Sequence, residues 1–255
     1  MNNEWKGAYA FNLGQRTYSN RSLHGQVVHE LGRRIVTGDI HEGAVLPNET
    51  ELGASFEVSR TALREGIKVL TAKGLLASRT RTGTRVRPRT EWNMLDPDVL
   101  AWRMGADIPQ QFIHDLVEFR RAIEPLAASL AAERATEAQI AQIERAYFDM
   151  EDAGDNVEAS EEPDLRFHQL ILLASGNELL APLGAMIETA LRTSFRMATP
   201  TIKLEALPVH KAVLDAIKSR DPSTAWKTMY QLLDYAIAYN SAVLSEMQDV
   251  AQTDA

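Results

Sequence analysis

Asp164 and His168 stand four residues apart, which puts both on one face of a helix, and a further imidazole, His210, lies in a later helical stretch. A carboxylate and two imidazoles converging between helices can hold a divalent cation, zinc first among the candidates and manganese or nickel after it. On the residues alone, Asp-x-x-x-His pairs more often serve as salt bridges or capping contacts, and both readings stand at this point. Arg120 stands one turn before Glu124, the spacing of a structural ion pair. Asn177 could cap a helix end. Arg192 and Arg196 share a helix face and read as solvated.

A different chemistry gathers in FEVSRTALREGIKVL, residues 56–70. Leu63, Ile67 and Leu70 form an apolar stripe, while Ser59, Arg60, Thr61 and Arg64 crowd the leading end. Guanidinium binds guanine O6 and N7 bidentately, and short hydroxyls reach phosphate or base, so this is the residue set of a helix read against a major groove. In SRTRTGTRVRPR, residues 78–89, five arginines (79, 81, 85, 87 and 89) alternate around the Thr82-Gly83 turn. Alternate residues of a strand share a face, giving a basic edge suited to phosphates or a minor groove, with Gly83 admitting close approach. An ordinary solvated hairpin is the alternative, above all for Arg87 and Arg89.

These side chains need elements to hold them. Val27, Val28, Leu31 and Ile35 mark a helix over 23–37, closed by Gly38. Asn48 with Glu51 forms a capping box for a short helix reaching Phe56, and Ser59 caps a third helix ending at Gly74. Extended runs at 75–79 and 84–86 complete a winged helix-turn-helix. Beyond residue 107 every pattern is helical: 109–132, 136–152 behind the Thr136/Gln139 capping box, 163–174, 178–197 with a break near Pro182, 204–219, and 222 to about 247. The fold expected is mainly α, a winged helix-turn-helix followed by an all-α antiparallel bundle. The expected division is an N-terminal arm at 1–20, the DNA-binding domain at 21–90, a linker at 91–107 and the effector and dimerisation bundle at 108–250.

Charge supports two roles. Residues 20–90 carry twelve Lys and Arg against seven Asp and Glu, while the portion from residue 91 onward holds a net −14 within a chain of net −8. A basic segment on an acidic body points to a polyanion met by the basic part alone. The absence of cysteine excludes disulfides, thiolate metal sites and cysteine nucleophiles. The N-terminus lacks a secretion pattern, and no apolar run reaches the roughly 18 residues of a membrane span, so a cytoplasmic protein with no membrane partner is expected.

The string LPNETELGASFEVSRTALREGIKVLTAKGLL with the wing TRTGTRV resembles the GntR family of bacterial transcription regulators. The likeness implies operator DNA as partner, with Ser59, Arg60, Thr61, Arg64, Arg81, Thr82 and Gly83 at the interface. Family members commonly carry a DNA-contacting arginine after the glutamate of the opening helix; Thr50 stands there in this chain. VEFRRAIEP, DLRFHQLILLASGN and VHKAVLDAI resemble the FadR-type branch and its helical ligand-binding (FCD) domain. Many such relatives bind a divalent metal through an aspartate and three histidines, which assigns Asp164, His168 and His210 as ligands. The last histidine would fall 22 residues after His210, where this chain has Leu232. Either the site has decayed, or three ligands leave cation positions open to a hydroxy acid. WNMLDPDVLAW, residues 92–102, resembles the galactonate-responsive subgroup and implies a galactonate-like sugar-acid effector, with Arg120 and Asn177 as contacts.

The function expected is a homodimeric DNA-binding repressor of sugar-acid catabolism, its recognition helices in successive major grooves about 34 Å apart. The effector signal is expected to travel by movement of residues 92–102. A metal-dependent enzyme acting on a small acid, and an effector-free architectural DNA-binding protein, are the competing readings.

Overall fold

The computed structural model describes residues 22–79, 83–104, 108–195 and 200–235. Arg81, Thr82 and Arg196 lie outside them. The chain divides into two compact units between Ile108 and Pro109.

In the first unit, α1 (Leu23–Thr37) starts at Ser22, whose hydroxyl accepts from Gly25 N–H, and stops at Gly38 in the left-handed region. Helix α2 (Glu49–Ser55) opens on the Asn48/Glu51 capping box. Glu57, with φ 54°, turns the chain into α3 (Arg60–Ala72), where Ser59 caps Ala62 N–H at 3.2 Å. Strands β1 (Leu76–Arg79) and β2 (Gly83–Val86) pair antiparallel with Leu76 opposite Val86. Val27, Leu31 and Ile35 of α1 meet Leu63 and Leu70 of α3 and Leu76 of β1 in a core with almost no exposure. Burying each such side chain stabilises the unit by roughly 1.5–3 kcal/mol. That core fixes α3 from behind and leaves its leading end to solvent.

The stretch expected to be a linker is largely built into this unit. Asp96 caps α4 (Pro97–Arg103), which packs on α1. Trp102 lies over Gly32, where a Cβ would meet its ring at 2.4 Å, and donates its indole N–H to His29 Nδ1 at 2.9 Å. Trp92 is also buried and donates to the Arg87 carbonyl. Lys73, at the end of α3, holds Asp96 and Asp98 at 2.7 Å each with its ammonium 5% exposed. The expected movement of residues 92–102 relative to the winged helix therefore has to break a packed core and a buried ion triad.

Lys73→Met would remove the buried ammonium that Asp96 and Asp98 share, and is expected to lower the stability of the protein by about 3–5 kcal/mol. Chemical denaturation at neutral pH measures this; a loss below about 1 kcal/mol would place the triad among ordinary surface pairs. Burial pulls the Lys73 pKa down, but Asp96 and Asp98 more than reverse that and raise it. The triad's contribution is thus complete below the ordinary lysine value of 10.5 and is lost as pH climbs through the raised one.

The second unit is helical: α5 (Gln110–Arg134), α6 (Glu137–Asp152), α7 (Val157–Ala174), α8 (Gly184–Phe195), α9 (Pro200–Lys218) and α10 (222–235). Helix α7 packs against α5, α6 and α8, and α9 against α5 and α6. Four alanines of α5, at 127, 128, 131 and 132, are wholly buried in this core and take little room there. Helix α7 begins six residues before the expected Pro163: Asn156 caps it, and Pro163 sits inside it. The break near Pro182 is a short 3-10 turn, Ala181–Leu183. No described helix is long and apolar enough to cross a membrane.

Candidate functional site

Two sites take shape, one in each unit. Ser59, Arg60, Thr61 and Arg64 are all exposed on the first turns of α3. Ser59 is occupied as a cap, so its hydroxyl fixes the helix end. Arg60 donates to Thr50 Oγ1 at 3.2 Å, and Arg64 to Glu49 Oε2 at 2.8 Å. Thr50, which stands where family members commonly have arginine, therefore steers Arg60. Gly83 opens β2 with φ 81°, a conformation that favours glycine. Along the described part of the basic edge, exposed Arg85 donates to the Gly43 carbonyl, Arg87 pairs with Glu91, and the Arg89 backbone N–H donates to Glu42 at 3.0 Å. For Arg87 and Arg89 the ordinary-hairpin alternative describes what is seen.

In the second unit, α7 and α9 bring Asp164, His168 and His210 together, all buried, each offering a ligand atom within 4.8 Å of the others. Asp164 Oδ1 is 2.8 Å from His210 Nε2 and 3.9 Å from His168 Nε2. Ligands at zinc distances on a tetrahedron sit about 3.4 Å apart, a spacing these two values straddle. The rings are oriented from behind. His210 Nδ1 is 3.0 Å from the Ala206 carbonyl, which can only accept, so the proton belongs on Nδ1. His168 Nδ1 rests against Glu124 Oε2, which assigns its proton in the same way. Both Nε2 lone pairs then face Asp164, an arrangement that calls for a cation or a shared proton. Phe167 packs edge-on against both imidazoles. Glu124 Oε2, His168 Nδ1 and His210 Nε2 are buried and make no hydrogen bond of good geometry, although charged neighbours touch them. The donor set, its spacing and these off-axis contacts fit a divalent ion.

The electrostatics agree. Burial alone would raise the Glu124 carboxyl, yet Arg120 and His168 beside it bring it down to about 2. Burial likewise opposes ionisation of Asp164, and His210, His168 and Arg120 reverse it. Arg120, 4% exposed, donates through Nε to Glu124 Oε1 at 2.5 Å. Its expected structural partner is real, and the arginine also lines the cavity beside the histidines.

That cavity measures about 110 Å³ and is lined by Arg120, Asp164, His168 and His210. Met150, Leu191, Phe195, Leu207 and Leu232 supply apolar wall. Leu232 thus occupies the same cavity as the histidines. Lys203, which sequence reasoning does not single out, also lines it and donates to the Asn156 carbonyl at 2.8 Å. Its pKa is lowered by burial, with Asp164 and Asp155 opposing.

Asn177 is not among the lining residues. Its Oδ1 accepts from Leu179 N–H at 2.9 Å in the turn after α7. Arg192 is not a free solvated cation either: it pairs with Glu161, Glu162 and Glu188 at 2.6–2.9 Å. Glu124 is the residue whose weight the sequence understates. Only its spacing from Arg120 is legible there, because its second contact lies 44 positions away at His168.

A capped helix presenting arginines beside a wing, in one chain with a helical unit whose mainly apolar cavity holds a few buried polar groups, is the build of a DNA-binding regulator. Residues 23–86 match the family model described as bacterial regulatory proteins, gntR family, and residues 115–235 match the FCD domain. The HTH-type transcriptional regulator YieP of Escherichia coli K12 is 34% identical over 86% of this chain and 96% of its own. The galactonate operon transcriptional repressor of the same organism is 37% identical over 78% of this chain and 89% of its own. A solved structure described as Lar, which controls expression of the Listeria monocytogenes agr system, covers 89% of this chain and 99% of its own with TM-score 0.60. At 17% identity that likeness concerns fold alone. The chain belongs to the GntR family: it is a DNA-binding transcription regulator with an FCD domain, and its relatives are regulators rather than enzymes.

Proposed function

We propose that this regulator represses genes of sugar-acid catabolism, and that a small galactonate-like carboxylate, bound beside a divalent cation in the FCD cavity, alters its hold on a near-palindromic operator. Asp164, His168 and His210 hold the cation, zinc before manganese or nickel, and Arg120 takes the effector carboxylate. Ser59, Arg60, Thr61, Arg64 and the wing at Arg81, Thr82 and Gly83 meet DNA as a homodimer in the cytoplasm. The observation that carries the reading is the convergence of two oriented imidazole nitrogens and a carboxylate oxygen in a cavity that Arg120 also lines.

A cation held by Asp164, His168 and His210 would supply Lewis acidity; the chain's residues supply orientation. Glu124 and the Ala206 carbonyl aim the imidazoles, Leu232 keeps one side free of a further ligand atom, and Arg120 presents a fork. A coupling of about 1–3 kcal/mol between effector and operator suffices to change occupancy several-fold or more. A thermal-shift screen of aldonates and uronates, each with added zinc and with EDTA, followed by gel shift on the hits, tests this. Hits confined to the zinc arm that also change operator binding are expected. No shift with any acid in either arm would remove the effector reading.

A further inference from the structure

Glu124 is 1% exposed, and its two oxygens serve different partners. Oε1 accepts from Arg120 Nε at 2.5 Å, and Oε2 lies against His168 Nδ1. Among the described residues it joins the arginine assigned to the effector and a histidine assigned to the cation. We propose that Glu124 couples the two ligands, so that a divalent cation raises the affinity of the FCD cavity for a small carboxylate, and each ligand strengthens the other.

The coupling rests on the proposed function, and charge and proton placement carry it. Arg120 and Lys203 bring two positive charges to the cavity, and Glu124 and Asp164 two negative ones. An anion entering that balance gains little, and Glu124 stands directly behind the guanidinium it would bind. A divalent ion at Asp164, His168 and His210 turns the balance positive. A cation there would also withdraw electron density from the His168 ring and so strengthen the attraction between its Nδ1–H edge and the Glu124 carboxylate beside it. Holding Oε2 fixes the carboxylate plane, and with it the direction of the Arg120 fork on Oε1. By linkage, the factor by which zinc raises acid affinity equals the factor by which the acid raises zinc affinity.

Glu124→Gln separates this role from simple packing. The amide keeps an acceptor for Arg120 but removes the negative charge, and its NH2 turned toward His168 Nδ1 pushes the imidazole proton onto Nε2. Zinc affinity is then expected to fall roughly 10–100-fold, as when an outer-shell partner is removed. Galactonate should at the same time gain affinity in EDTA, and its dependence on zinc should drop from about tenfold or more in the natural protein to near unity.

Calorimetry of zinc with and without galactonate, and of galactonate with and without zinc, on natural and Glu124→Gln full-length protein reads all four affinities. A merely structural glutamate would weaken both ligands together and never create zinc-independent acid binding. If Glu124→Gln binds both ligands with the coupling factor unchanged, Glu124 is not the coupler and the inference is overturned while the proposed function survives. Should the variant fail to fold, the natural protein decides: equal galactonate affinity with and without zinc overturns the coupling outright. Zinc that binds without regard to a His210→Ala change removes the proposed function itself.

Discussion

Alanine at both Arg60 and Arg64 lowers operator affinity by about 2–6 kcal/mol, the sum of about 1–3 for each base-reading arginine, without lowering the melting temperature. The fold remains because neither guanidinium belongs to the core: Arg64 is 63% exposed, and its partner Glu49 is itself 42% exposed. What disappears is the pair of forks that α3 carries on its leading face, held there by Thr50 and Glu49. Arg87→Ala makes the control. That arginine is turned to Glu91, so its removal is expected to cost operator binding less than either α3 change. Gel shift across a salt series on the cognate promoter reads both quantities. If the arginines also neutralise phosphates, the logarithmic salt slope falls by about one for each phosphate left without its arginine. Undiminished affinity in the double variant would displace α3 from the DNA altogether.

The legible parts of this fold are those set by neighbours in sequence. The Asn48/Glu51 and Thr136/Gln139 boxes and the Ser59 cap each satisfy backbone groups within three residues, so these helix starts can be read directly. The start of helix α7 is misplaced from sequence for a local reason as well: Pro163 suggests a first turn, while Asn156 already caps one. Helix α4 escapes because its stability is non-local. Its capping Asp96 is bound by Lys73, 23 positions earlier, and Trp102 rests on Gly32 of α1. Arg192 reads as solvated because two of its three glutamates come from α7, about thirty positions back. The Asp164 and His168 pair is visible as a helical spacing, but nothing in that spacing distinguishes a salt bridge from a ligand set. The distinction comes from what stands behind each ring, Glu124 and the Ala206 carbonyl, and neither belongs to the Asp-x-x-x-His spacing itself.

His210→Ala abolishes the zinc-induced rise in melting temperature, and Asp164→Asn does the same. At zinc one hundred times its dissociation constant, the bound ion stabilises the natural protein by about 2.7 kcal/mol. For a domain of this size that is about 5–10 °C. Removing one of three ligands abolishes nearly all of it, because the remaining two leave the ion to water. Without a cation, the same change also takes from Asp164 the imidazole 2.8 Å from its Oδ1, so the metal-free melting temperature of each variant is the baseline against which its zinc shift is read. A constructive variant sharpens the test. Leu232 is 4% exposed and lines the cavity with the histidines, so Leu232→His brings a further imidazole toward the site. Zinc should bind more tightly there, while galactonate binds more weakly, since the added ligand takes a coordination position the acid would use. A melting temperature indifferent to zinc in the natural protein, in His210→Ala and in Leu232→His alike would mean that these residues form a buried ion pair and nothing more.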